Sequence, residues 1–167
     1  MPSLVFLRSF MKIRPACEAD YSALRKLFCD YYTELDCEES PLALFDDYLL
    51  PDLKEGLFEV AVCDLDGAIG FVIFQIDDIL NDWNFKEGCG DVRELYVAPP
   101  FRRQGFGAAL LTYAENRLAD MGAKEIYTLP VEECEAYFLK RGYADSGEYC
   151  GEADNKVFTK IIDKTDK

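Results

Sequence analysis

The chain contains no histidine among its 167 residues and has one tryptophan. Without an imidazole, Ser-His and Cys-His catalysis lacks its base, and zinc loses its commonest nitrogen ligand. Seven cysteines, an odd number, include no Cys-x-x-Cys pair. No metal is therefore expected, and the thiols fit a protein of a reducing cytoplasm. Cys29 and Cys63 have apolar neighbours and read as small core residues. A proton acceptor must be a carboxylate, a tyrosine, a cysteine or water. No apolar run approaches the roughly 18 residues that span a bilayer. The stretch Leu4 to Phe10 is short, broken by Arg8 and without a small-residue cleavage site. Basic residues are few: 18 Lys and Arg against 32 Asp and Glu give a net charge of −14 and a pI near 4.4. Nucleic acid and anionic membrane surfaces are poor partners for such a chain.

Base is also missing locally. From Asp30 to Asp66 the acids are Asp30, Glu34, Asp36, Glu38, Glu39, Asp46, Asp47, Asp52, Glu55, Glu59, Asp64 and Asp66, with Lys54 as the lone base. Arg93, Arg102, Arg103, Arg117, Lys124, Lys140 and Arg141 follow later. This division fits a cationic acceptor on the acidic half and an anionic cosubstrate on the other, or simply a solvated acidic surface. The length and the absence of repeats or linkers predict one domain.

What is present is concentrated between Val92 and Met121. Val92, Leu95, Tyr96 and Val97 read as a strand that Pro99-Pro100 must end. Arg102-Arg103-Gln104-Gly105-Phe106-Gly107-Ala108 then opens a helix, because Leu110, Leu111, Ala114, Leu118 and Met121 recur at helical spacing before Gly122. Glycines at a helix N-terminus let free amides approach an anion closely, and the arginines add positive charge there. A P-loop is excluded because Gly107 is followed directly by Ala108-Ala109 and not by Lys and Ser or Thr. A dinucleotide fingerprint is excluded because Leu110 stands where its third glycine belongs.

Elsewhere, a strand is predicted from Ile13, a helix over 18–35, and a helix over 41–50 capped by Ser40 and stopped by Pro51. Strand-like runs 57–63 and 68–76 are joined through Asp66-Gly67, a hairpin signal. The segment 77–90 reads as a polar loop with Trp83 and Phe85 exposed or folded over the site. Strand 125–129, helix 131–141, strand 143–149 and strand 156–162 complete an α/β chain with a mixed sheet flanked by helices.

Arg102-x-x-Gly105-x-Gly107-Ala108, preceded by Glu94-Leu95-Tyr96-Val97 and a proline turn, resembles the GCN5-related N-acetyltransferase superfamily. Met11-Lys12-Ile13-Arg14-Pro15-Ala16 is similar to its first strand, and Ala136-Tyr137-Phe138-Leu139-Lys140-Arg141-Gly142-Tyr143 to its later helix-to-strand segment. The likeness runs over residues 11 to 162, which makes 1–10 an N-terminal extension and 11–167 a single N-acetyltransferase domain. It implies the acyl-CoA N-acyltransferase fold, an α/β (α+β) arrangement with a mixed, mostly antiparallel sheet, one splayed pair of strands and about four helices. It also implies transfer of acetyl from acetyl-CoA to a primary amine, either a cationic small molecule or a protein N-terminus. A sensor or interaction module that binds acyl-CoA without efficient transfer is the alternative. The implied partners are a small-molecule amine or a peptide, with a homodimer as a compatible assembly.

On this resemblance, Leu95, Tyr96 and Val97 offer main-chain groups to the pantetheine arm, and Arg102, Arg103, Gln104, Gly105, Phe106, Gly107 and Ala108 hold the pyrophosphate, with Phe106 also packing. Glu94 is the candidate proton acceptor. The family's usual proton-donating tyrosine falls at Phe138, which has no proton to give, so Tyr137 becomes the candidate; Tyr143, Tyr149, water and unassisted departure of the thiolate are the others. Glu132-Glu133-Cys134 stands where the family often carries an asparagine.

Overall fold

Strands β1 (Lys12–Pro15), β2 (Glu59–Asp64), β3 (Ala68–Ile76), β4 (Gly90–Val97), β5 (Glu125–Thr128), β6 (Ala144–Cys150) and β7 (Asn155–Ile161) hydrogen-bond in the order β1-β2-β3-β4-β5-β7-β6. The computed structural model describes residues 10–81 and 83–162, so the proposed extension lies outside it except for Phe10. The β4/β5 pair is parallel, whereas β1/β2, β5/β7 and β6/β7 are antiparallel. With the four helices defined below, this is the predicted mixed sheet. The chain clusters into two compact units, one from Met1–Ile73 with Glu94–Ala114 and one from Phe74–Arg93 with Glu115–Lys167.

In the first unit, helix α1 (Tyr21–Glu34) buries Leu24, Leu27 and Phe28, the i, i+3, i+4 spacing of an apolar stripe. They pack with Phe45, Phe58, Val60, Phe71, Ile73 and Tyr96. Each such side chain contributes about 1.5–3 kcal/mol. The pair between Arg25 of this helix and Asp46, 2.7 Å apart, is exposed and screened by solvent, so it adds little to the packing. Packing therefore holds α1 in place. Its entry is fixed by Asp20, which accepts from the Cys17 amide at 2.8 Å and takes the Arg14 guanidinium at 2.7 and 2.8 Å. That guanidinium pulls the Asp20 carboxyl down to about 2.

Helix α2 departs from prediction. It is continuous from Pro41–Ala43 through a π-helical segment Leu44–Leu49 to Leu50–Glu55, and so runs through Pro51. A proline ring in α geometry would collide with the carbonyl four residues back. Widening the preceding turn removes that collision, and the Leu50 amide accordingly bonds the Phe45 carbonyl five residues away. The actual stop is Gly56, left-handed at φ 74°. Ser40 caps the start as expected, accepting from the Ala43 amide at 3.4 Å.

In the second unit, the segment 77–89 is not a loose polar loop. Asp77 is buried and accepts from Gln75 Nε2, the Phe85 and Lys86 amides and the Tyr127 hydroxyl at 2.7 to 3.0 Å. Burial pushes the Tyr127 hydroxyl far above the usual phenol range. Trp83 and Phe85 pack with Tyr127, Cys150 and Val157. The predicted helix 131–141 is shorter: a 3-10 turn Glu132–Cys134 leads into α4 (Glu135–Leu139).

Candidate active site

The site grows from the way β4 ends. Gly70 of β3 has no room for a side chain, since a Cβ there would stand 2.6 Å from the Tyr96 carbonyl oxygen and 3.2 Å from Val97. Glycine therefore lets β4 lie against β3 at Tyr96 and Val97. The Ala98 amide bonds the Ile69 carbonyl at 2.9 Å, and the chain then turns through Pro99–Phe101. On the other side, β4 pairs with β5 only at Gly90–Ile126 and Asp91–Tyr127, out of eight residues in the strand. The next carbonyl, of Val92, accepts from the Thr128 hydroxyl at 3.0 Å.

After the turn, Arg103 and Gly105 take positive φ of 61° and 89°. For an arginine this conformation costs about 1–2 kcal/mol, so the surrounding fold must hold it. Helix α3 (Phe106–Asp120) follows, and Phe106, Leu110, Leu111, Ala114 and Leu118 are buried. Its first bond from outside runs from the Ala109 amide to the Gly105 carbonyl at 3.1 Å. The amides of Gly105, Phe106, Gly107 and Ala108 thus precede the helical ladder, the position in which helix amides remain available to an anion. Beside them is an open depression of about 350 Å³ lined by Met11, Gln104, Gly105, Phe106, Ala108 and Ala109.

The side chains of this turn have partners within the fold. The Arg102 guanidinium is tied into the fold: Nη2 is on both Glu34 oxygens at 3.0 and 2.8 Å, Nε donates to the Val97 carbonyl at 2.7 Å, and the group lies 5.2 Å from the Tyr96 ring centre. The Tyr96 side chain is also committed, being 4% exposed and donating to Glu34 at 2.8 Å. Burial first, and that bond second, raise its hydroxyl to about 12. Arg103 is exposed, and Phe106 is a packing residue as expected.

Glu94 lies on β4, half-buried, and accepts from Tyr31 Oη at 2.5 Å and Tyr32 Oη at 2.7 Å. Neither Tyr31 nor Glu34 stands out as a site residue in the sequence. Nothing local marks either one, because their partners are 62 to 68 residues away.

Tyr137 belongs to the second unit. Its hydroxyl is buried beside Arg141, and the Tyr143 hydroxyl is buried beside Glu115. Burial pushes the Tyr137 hydroxyl up, while the charge of Arg141, 3.4 Å from its ring centre, pulls it down. Phe138 is buried, edge-to-face with both Tyr137 and Tyr143 at 5.3 Å. The inward position is thus filled by the ring that has no hydroxyl. Among the described residues no cluster of His, Cys, Asp or Glu could hold a metal, and no helix is long and apolar enough to cross a membrane.

A model of the acetyltransferase (GNAT) family matches residues 21–143. The chain belongs to this family. It is 25% identical over 154 residues to the aminoalkylphosphonate N-acetyltransferase of Salmonella typhimurium, covering 86% of this chain and 95% of that one. Among solved structures, the PaiA N-acetyltransferase of Thermoplasma acidophilum, in complex with coenzyme A, superposes with a TM-score of 0.70 at 15% identity, over 91% of this chain and 99% of that one. A GCN5-related N-acetyltransferase of Ralstonia eutropha gives 0.68 at 24% identity, over 84% and 97%. The fold and the acetyltransferase class read from the β4-to-α3 motif agree with these relatives.

Proposed function

We propose that this acetyltransferase moves the acetyl group of acetyl-CoA to a primary amine carried by a cationic small molecule or a protein N-terminus. The observation that carries the reading is the run of amides from Gly105 to Ala108 ahead of the first bond of α3, with Gly105 left-handed and bare of side chain. That geometry fits a diphosphate, and the main-chain groups of Leu95, Tyr96 and Val97 fit the amides of the pantetheine arm. In this scheme Arg102 braces the turn through Glu34 and Val97, while Arg103 and Gln104 border the anion.

An amine of lysine type has a pKa of about 10.4 and is mostly protonated at neutral pH. Glu94 takes its proton, directly or through a water, so that nitrogen can attack the thioester carbon. The C–S bond then breaks, and the departing thiolate needs a proton. Tyr137 is the proposed donor, on the resemblance of its segment to the family's later helix-to-strand stretch. The acceptor is assigned as cationic because the segment from Asp30 to Asp66 has a single base. The Salmonella relative is named for an aminoalkylphosphonate, whose phosphonate such a field would repel.

Phe138 favours a second reading, a module that binds the thioester carrier without efficient transfer. One assay separates the two: thiol release over diamines, an amino-terminal peptide and an aminoalkylphosphonate, at low and high salt. Diamines should lead, and salt should narrow their advantage. A lead for the aminoalkylphosphonate would refute the acceptor assignment, and binding of coenzyme A with no release from any amine would establish the module.

A further inference from the structure

Tyr31 and Tyr32 are consecutive on α1, and consecutive helical side chains leave the axis about 100° apart. Their hydroxyls nevertheless meet on one carboxylate, Tyr31 on Oε2 and Tyr32 on Oε1 of Glu94. The rings stand edge-to-face at 5.2 Å and 87°. Each is backed by another aromatic: Tyr32 stacks on Phe28 at 4.4 Å, and Tyr31 lies against Tyr96 at 5.3 Å and Phe71 at 6.1 Å. Phe28, Phe71 and Tyr96 are themselves buried. The positions of the two hydroxyls are thus set by the core.

We propose that Tyr31 and Tyr32 are positioning residues for acyl transfer, holding Glu94 by both oxygens in the orientation that receives the acceptor's proton. A glutamate otherwise samples several rotamers, and fixing it in advance removes that loss from the reaction. The phenols act through Glu94 and need not touch substrate. The inference rests on Glu94 being the proton acceptor.

The test uses the full chain and measures kcat and KM for a diamine, with acetyl-CoA affinity by calorimetry, in Y31F, Y32F and Y31F/Y32F, each alone and combined with E94Q. Phenylalanine keeps the ring packing and removes only the hydroxyl. The double variant should lose at least about tenfold in kcat, the scale of a lost hydrogen bond to a charged group, with acetyl-CoA affinity unchanged. In the E94Q background the same changes should add little, because the group they hold is gone. Wild-type kcat in the double variant, or full additivity with an impaired E94Q, would overturn the positioning role while leaving Glu94 as acceptor. Wild-type kcat in E94Q alone would overturn both. If the double variant does not fold, the single variants carry the same comparison.

Discussion

Replacing Gly105 with alanine perturbs the turn at its most demanding point. Gly105 has φ 89°, where an L side chain is strained by about 1–2 kcal/mol. For a chain of this size 1 kcal/mol shifts the melting temperature by about 2–4 °C, so G105A should melt roughly 2–8 °C lower. Gly122 provides the control. It too has positive φ, 100°, and an added Cβ there meets nothing within 4 Å. G122A should therefore lose comparable stability by the same backbone route. Binding should distinguish the two variants. If the amides at Gly105 to Ala108 hold phosphate oxygens, tilting them loses one or more charge-assisted bonds of about 1.5–3 kcal/mol, weakening acetyl-CoA roughly ten- to a hundredfold. Calorimetry well below both melting temperatures is the assay. Equal affinity in G105A, G122A and wild type would refute the reasoning, because strain would then have been introduced without touching the binding amides.

Two further outcomes follow from packing and charge. G70A, whose new Cβ would lie 2.6 Å from the Tyr96 carbonyl oxygen, should destabilise by about 1–3 kcal/mol in thermal melts; an unchanged melt would mean β4 yields freely there. Asp20 has its carboxyl lowered from 3.8 to about 2, so its ion pair with Arg14 stabilises fully above the unfolded value and loses that contribution as pH falls toward 2. The contribution is about 2 kcal/mol, and the gap in urea stability between wild type and D20N should close between pH 4 and pH 2. A gap independent of pH would contradict the pairing.

The parts legible in the sequence are those governed by neighbours along the chain. The Asp66-Gly67 hairpin, the Ser40 cap and the proline end of β4 each follow from one or two residues, and the structure has them: Asp66 and Gly67 both take positive φ, and the Leu65 amide closes on the Gly67 carbonyl at 2.9 Å. The glycine turn into α3 was equally visible. Pro51 misled because a helix can widen ahead of a proline, and the widening is supported by buried Phe45, a tertiary fact. The fate of Arg102 was hidden for the same reason. The Arg102–Glu34 pair and the clasp of Tyr31 and Tyr32 on Glu94 both depend on where α1 lies along β4. Trp83 and Phe85 fell between two readings until Asp77 was seen to gather their segment into a core.

The central claim is that the amides at the start of α3 grip the diphosphate of acetyl-CoA. Hydrogen–deuterium exchange with and without acetyl-CoA, read at residue level across 92–112, tests it directly. Slowed exchange at Gly105 to Ala108 on binding is the predicted result; saturating acetyl-CoA that leaves those four amides exchanging as in the free protein would contradict it.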